Sequence, residues 1–85
     1  MRIARVLYGY QQLTIEMDGD RAEDVALVRG ALERTGAEVR GPFVTGSGEG
    51  AYISGSAQPV DERAHGAATM ALQLAGVKVF AQLPQ

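Results

Sequence analysis

Two stretches of helical period, each closed by a glycine, alternate along this chain with stretches of strand period, and that alternation limits its fold more than any other feature of the sequence. In the first, Val25, Val28 and Leu32 recur at i, i+3 and i+7. Asp18 or Asp20 can cap it, Glu23 follows Asp20 by three residues as in a capping box, and Gly36 ends the run. An amphipathic helix is expected from Gly19 to Thr35. In the second, Ser56 or Gln58 precedes Pro59 near the first turn, and Asp61 and Glu62 favour the positive end of the dipole. Ala64, Ala67, Ala68, Ala71, Leu72 and Ala75 then trace one stripe up to Gly76. A stripe so rich in alanine implies close approach to a sheet.

The intervening segments read as strands. Val77, Val79, Ala81 and Leu83 alternate with Lys78, Phe80 and Gln82, a half-buried pattern closed by Pro84. Glu38 to Thr45 and Ala51 to Ser54 flank Gly46-Ser47-Gly48-Glu49-Gly50, whose glycines supply the positive φ values of a tight hairpin. Arg2 to Tyr8 and Leu13 to Met17 are strand-like on either side of Gly9-Tyr10-Gln11-Gln12, which fits one long bulged strand or an extra hairpin. The order β-α-β-β-α-β, with right-handed crossovers, predicts an α+β fold of ferredoxin-like type: a four-stranded antiparallel sheet with both helices on one face. Val25, Val28, Leu32, Ala68, Leu72, Val77 and Val79 are the expected core. The opposite face of the sheet is left for solvent, a partner or a ligand.

Composition narrows the functions such a domain can carry. The 85 residues are enough for a single domain, here residues 1–85, with one modest core. The absence of cysteine removes disulfides, thiolate metal sites and a cysteine nucleophile, and the lone His65 cannot form a histidine cluster. Neither a metal nor another cofactor is expected. Met1 to Leu13 lacks an apolar run of signal-peptide length and no stretch is long and apolar enough for a membrane span, so a cytoplasmic location without membrane contact is expected. The net charge of −2 argues against tight, sequence-independent binding of nucleic acid.

Arg34-Thr35-Gly36-Ala37-Glu38-Val39-Arg40-Gly41-Pro42 resembles the helix-to-strand segment of the bacterial ribosomal protein S10 family, which typically reads RTGAQVRGP. Leu74-Ala75-Gly76-Val77-Lys78-Val79 is similar to the segment by which that family enters its last strand. The resemblance implies a ferredoxin-like core that binds RNA and protein partners, among them a transcription antitermination factor. After Pro42, where the family carries a long basic hairpin, this chain has only Phe43-Val44-Thr45 and the glycine-rich turn. The resemblance is therefore to a minimal S10-like domain, in which Arg34, Thr35, Gly36, Arg40, Gly41 and Pro42 are the expected contact segment for RNA or for a transcription- or translation-associated protein.

No residue constellation points to catalysis. Asp18, Asp20, Glu23, Asp24, Asp61 and Glu62 gather at the two helix starts, where capping and the dipole account for them. His65 is expected on the solvated helix surface. The glycine-rich loop lacks the Lys-Ser/Thr and the following helix of a phosphate cradle. Alternation instead places Lys78 and Phe80 on the open sheet face, with Arg40 and Tyr52 expected to join them, a combination suited to stacked bases or to burial by a second copy. A second expected contact is the outer face of the first helix, where Leu27 and Gly30 lie in line with Arg34. The sequence thus points to a non-enzymatic binding module with a protein partner or weak, salt-sensitive RNA contact. The competing readings are a structural or regulatory homo-oligomer, cellular or phage-encoded, and a metabolite-sensing domain with a loop near Gly9 or Gly36.

Overall fold

The computed structural model describes residues 2–82. They form five strands, two α-helices and a single 3₁₀ turn: β1 (Ile3–Gly9), β2 (Gln12–Asp18), α1 (Ala22–Glu33), β3 (Glu38–Thr45), the 3₁₀ turn (Gly48–Gly50), β4 (Tyr52–Gln58), α2 (Glu62–Leu74) and β5 (Lys78–Gln82). Leu83 and Pro84, expected to close the last strand, lie outside the described residues.

The expected four-stranded antiparallel sheet is not what forms. The sheet has five strands in the order β3-β4-β2-β1-β5 and is mixed, since β1 pairs antiparallel with β2 but parallel with β5. From β2 onward the connectivity is still β-α-β-β-α-β, and β1 is the addition, wedged between the first and last strands of that unit. Length makes it necessary. A single strand over residues 2–17 would run about 50 Å at the usual rise per residue, whereas the longest dimension of the molecule is 34 Å. The chain folds back through Tyr10 and Gln11, whose φ values of 52° and 64° make a two-residue turn between the paired Gly9 and Gln12.

Both helices cover one face, and a single core joins them to the sheet. Its floor is Ala4 and Val6 of β1, Leu13, Ile15 and Met17 of β2, and Ile53 and Ala57 of β4; its roof includes Val28, Ala31 and Leu32 of α1 and Ala68 and Leu72 of α2. Val77 is buried among them, while Val25 and Val79 are half-buried against the cluster. Gly55 lets Leu32 of α1 pack directly on the sheet: a Cβ built there would sit 2.7 Å from Leu32 Cδ1 and 3.2 Å from Arg40 O of the neighbouring strand.

The helix ends differ from expectation at the start and agree at the stop. Helix α1 begins at Ala22 with Arg21 at the N-cap and no side-chain cap, because Asp18 ends β2 and bonds Arg5 instead. Helix α2 begins at Glu62, capped by Asp61, whose carboxylate accepts from Ala64 N at 2.8 Å. Ser56 and Gln58 belong to β4. At the other end Gly76 (φ 86°) closes α2 in a Schellman motif, with Val77 N donating to Leu72 O and Gly76 N to Gln73 O.

Candidate functional site

Strand register assigns every exposed side chain of the sheet to a side. With Leu13, Ile15, Met17 and their neighbours turned to the helices, the open face carries Gln12, Thr14, Glu16 and Asp18 of β2. Beside them lie Ile3, Arg5 and Leu7 of β1 and Lys78 and Phe80 of β5. On the other flank are Tyr52, Ser54, Ser56 and Gln58 of β4 and Glu38, Arg40, Phe43 and Thr45 of β3. Phe43 is 62% exposed and Phe80 48%, with Ile3 and Tyr52 also exposed. One apolar group therefore lies toward β5 (Ile3, Leu7, Phe80) and another toward β3 (Phe43, Tyr52), with a polar strip between them.

An ionic cluster occupies the middle of that strip. Arg5 donates to Asp18 Oδ1 at 3.1 Å and lies 3.8 Å from Glu16, its cross-strand neighbour. The Asp18 hydrogen bond raises the already high guanidinium pKa further. At the β5 edge Lys78 Nζ stands 5.3 Å from the Phe80 ring centroid, within cation–π range. At the opposite corner Gln12, Glu38, Arg40, Ser56 and Gln58 line a shallow polar depression of about 340 Å³.

The expected grouping of Arg40, Tyr52, Lys78 and Phe80 is thus right about the face and wrong about proximity. Arg40 and Tyr52 lie on β3 and β4, Lys78 and Phe80 on β5, with β2 and β1 between. Four strand spacings separate the two edges, about 19 Å. The inserted β1 is the cause.

The S10-like segment resolves into structural parts. Thr35 Oγ1 donates to Leu32 O at 2.6 Å and accepts from Ala37 N, and Gly36 takes the left-handed conformation (φ 70°) that stops α1. Ala37 and Val39 pack on the core. Gly41 (φ 86°) and Pro42 form a bulge between the pairs Arg40–Ser56 and Phe43–Ser54, two residues set against Gly55. A Cβ at Gly41 would meet Ser54 O at 3.0 Å. Of the nine residues, Arg34, Gly36, Glu38 and Arg40 are exposed, Arg34 and Gly36 at the end of α1 in the helix layer and the other two on the open face.

The expected helix-surface contact is divided. Gly30 is exposed with open space where a Cβ would sit, but Leu27 packs against the core. Helix α1 rests on both the sheet and α2, so its buried arc is wide enough to take in Leu27 at its margin.

Two polar features departed from expectation. His65 is half-buried rather than free on the helix surface: its ring stacks on Tyr8 with centroids 4.7 Å apart, and its Nε2 is buried without a hydrogen-bond partner, as is Thr69 Oγ1 one turn on. The Tyr8 hydroxyl donates to Val60 O at 2.6 Å, and burial, aided by the carboxylates of Glu62 and Asp61, raises the phenol above its ordinary value. Asp24 is 3% exposed and receives Arg2 Nη1 at 3.1 Å, while Arg2 Nη2 donates to Ala75 O at the end of α2. It is an internal ion pair, not a helix-end charge in water.

Sequence reasoning missed Ile3, Arg5, Glu16, Asp18 and Phe43 as members of the open face. The strict alternation of Gln12, Thr14, Glu16 and Asp18 with Leu13, Ile15 and Met17 was the available signal. Among the described residues no cluster of His, Asp or Glu could hold a metal ion, and no helix is long and apolar enough to cross a membrane. Comparison with protein families, with curated proteins and with solved structures finds no match.

Proposed function

We propose that the chain is a non-enzymatic binding module, S10-like in kind, that engages a protein partner of the transcription or translation apparatus through the open face of its sheet. The observation that carries this reading is the make-up of that face. Large apolar side chains stand on both flanks, and the three cations of the face (Arg5 at the centre, Arg40 and Lys78 at the two edges) are equalled in number by three anions (Glu16 and Asp18 beside Arg5, Glu38 at the β3 edge). Exposed aromatic rings beside mixed charge suit a protein interface, whose core favours aromatic residues and arginine. A phosphate backbone calls for uncompensated cations, and Arg5 is already neutralised by two carboxylates. The resemblance of residues 34–42 to the S10 family supports a binding role rather than a catalytic one.

The test is a tagged pull-down from the native host, analysed for protein and RNA, with wild type beside a Phe43→Ser/Tyr52→Ser variant. The expected result is a protein captured by wild type and lost from the variant, with RNA at background. RNA capture that falls steeply with salt and with Arg40→Ala would replace the protein reading with an RNA one. Capture unaffected by the double substitution would remove the open face from the interaction.

A further inference from the structure

The two edges of the sheet are unequally protected. An exposed edge presents unpaired main-chain N–H and C=O groups to any other strand, and proteins commonly blunt such edges with bulges, prolines or inward charges. Strand β3 has the first two: the Gly41-Pro42 bulge breaks its register, and Pro42 has no N–H to offer. Strand β5 (residues 78–82) has no proline, no glycine and no bulge against β1. Its residues facing the helix layer, Val79 and Ala81, are apolar rather than charged.

The direction of the free groups follows from one hydrogen bond. Lys78 N donates to Arg2 O, so Lys78 points its main-chain groups at β1. Alternation then turns those of Phe80 inward too and those of Val79 and Ala81 outward. Two donors and two acceptors thus face away from the sheet along the β5 edge. Beside them on the open face stands the exposed Phe80 ring.

The geometry points to a second copy of this chain as the occupant of that edge, with β5 pairing antiparallel to the β5 of the partner about a two-fold axis through Phe80. In this register Val79 faces the partner's Ala81 as a hydrogen-bonded pair, and Ala81 faces the partner's Val79, which uses all four outward groups of each chain. Phe80 and the partner's Phe80 form the close, non-hydrogen-bonded pair at the axis, where cross-strand aromatic side chains interact best. Lys78 falls opposite the partner's Gln82, so no like charges oppose each other. The product is a continuous ten-stranded sheet with all four helices on one side and an enlarged open face. This inference is independent of the proposed partner on the open face, because it concerns the edge.

The contact is small. A five-residue ladder and two rings fall below the roughly 1,200 Å² of a standard interface, so a weak, concentration-dependent dimer is expected. Sedimentation equilibrium over roughly 10 μM to 1 mM, the range expected for so small a contact, should show wild type passing from monomer to dimer. Val79→Pro removes an outward N–H without touching the β1 ladder and should weaken the dimer at least tenfold. Phe80→Lys, which sets two ammonium groups at the axis, should do the same, whereas Phe43→Lys should not. In wild type, amide exchange at Val79 and Ala81 should slow as concentration rises while that at Val44 stays constant. If Val79→Pro fails to fold by circular dichroism, Phe80→Lys and the exchange data decide. A wild type that stays monomeric at 1 mM, or a dimer that slows no amide in β5, would overturn the proposal; a dimer broken by Phe43→Lys and not by Phe80→Lys would do so equally.

Discussion

The Arg2–Asp24 pair makes an unequal prediction about its two members. The Asp24 side chain is 4% exposed and the Arg2 side chain 33%. Arg2→Ala leaves the buried Asp24 carboxylate without its partner, and breaking a buried pair in this way costs about 3–5 kcal/mol. It also removes the donor to Ala75 O at the negative end of α2. Asp24→Ala leaves a guanidinium that is already one-third in water and keeps its bond to Ala75 O. A charge-assisted hydrogen bond is worth about 1.5–3 kcal/mol, and partial exposure of the donor reduces that to about 1–2 kcal/mol. A domain of this length has roughly 4–13 kcal/mol of stability, so the first variant is severely weakened and the second moderately. The apolar double variant Arg2→Met/Asp24→Leu should lie within about 1 kcal/mol of wild type, since well-packed apolar replacements of a buried pair are often neutral. Urea unfolding followed by circular dichroism, with all four proteins in one cycle, measures these differences. An Asp24→Ala cost equal to or above that of Arg2→Ala would refute the assignment of Asp24 as the desolvated partner.

Two further substitutions examine the fold where its geometry is tightest. Gly55→Ala should destabilise by about 1–3 kcal/mol, the usual cost of overpacking, because its Cβ would meet the fully buried Leu32 Cδ1 at 2.7 Å and the main-chain atoms Arg40 O and Pro42 Cα at 3.2 Å; pairing it with Leu32→Ala should recover part of the loss in thermal melts. Tyr10→Asn with Gln11→Gly should raise stability by about 1 kcal/mol or more, since both positions have positive φ, which those residues accept at little cost, and a fall in melting temperature would show that Tyr10, 88% exposed, makes a contact worth more than the turn strain.

The helices, their glycine stops and the β3–β4 hairpin were legible because each has a local cause. Gly36 and Gly76 stop helices by taking φ values that other residues resist, and Val28, Leu32, Ala68 and Leu72 advertise their burial by period. The position of β1 was not legible, because strand order depends on which edges meet after collapse, and Arg2 to Tyr8 alternates poorly. A central strand flanked on both sides can afford Ala4 where an amphipathic edge strand would show a larger residue. Helix starts misled for a related reason. Asp18, Asp20 and Asp24 all have the chemistry of a helix-terminal acid, yet Asp18 answers Arg5 from the neighbouring strand and Asp24 answers Arg2 from 22 residues away. Charges at short spacing look local, and partners supplied by tertiary structure overrule them.

The added strand also changes how charges and rings are arranged on the open face. In a four-stranded ferredoxin-like sheet, β5 would lie directly beside β2, and Lys78 and Phe80 would stand one strand closer to Tyr52 and Arg40. Such a cluster of rings and cations could stack and neutralise a nucleic-acid strand. With β1 in place, Arg5 enters the middle of the face together with the two carboxylates that hold it, and the outer cations are left at opposite corners. A single strand of nucleic acid crossing this surface would meet Glu16 and Asp18 halfway. A protein partner faces no such obstacle, since carboxylates and a guanidinium can be matched across an interface by charges of the opposite sign. Under the proposed reading, the central Arg5 and its two carboxylates make this face better suited to another protein than to a phosphate backbone.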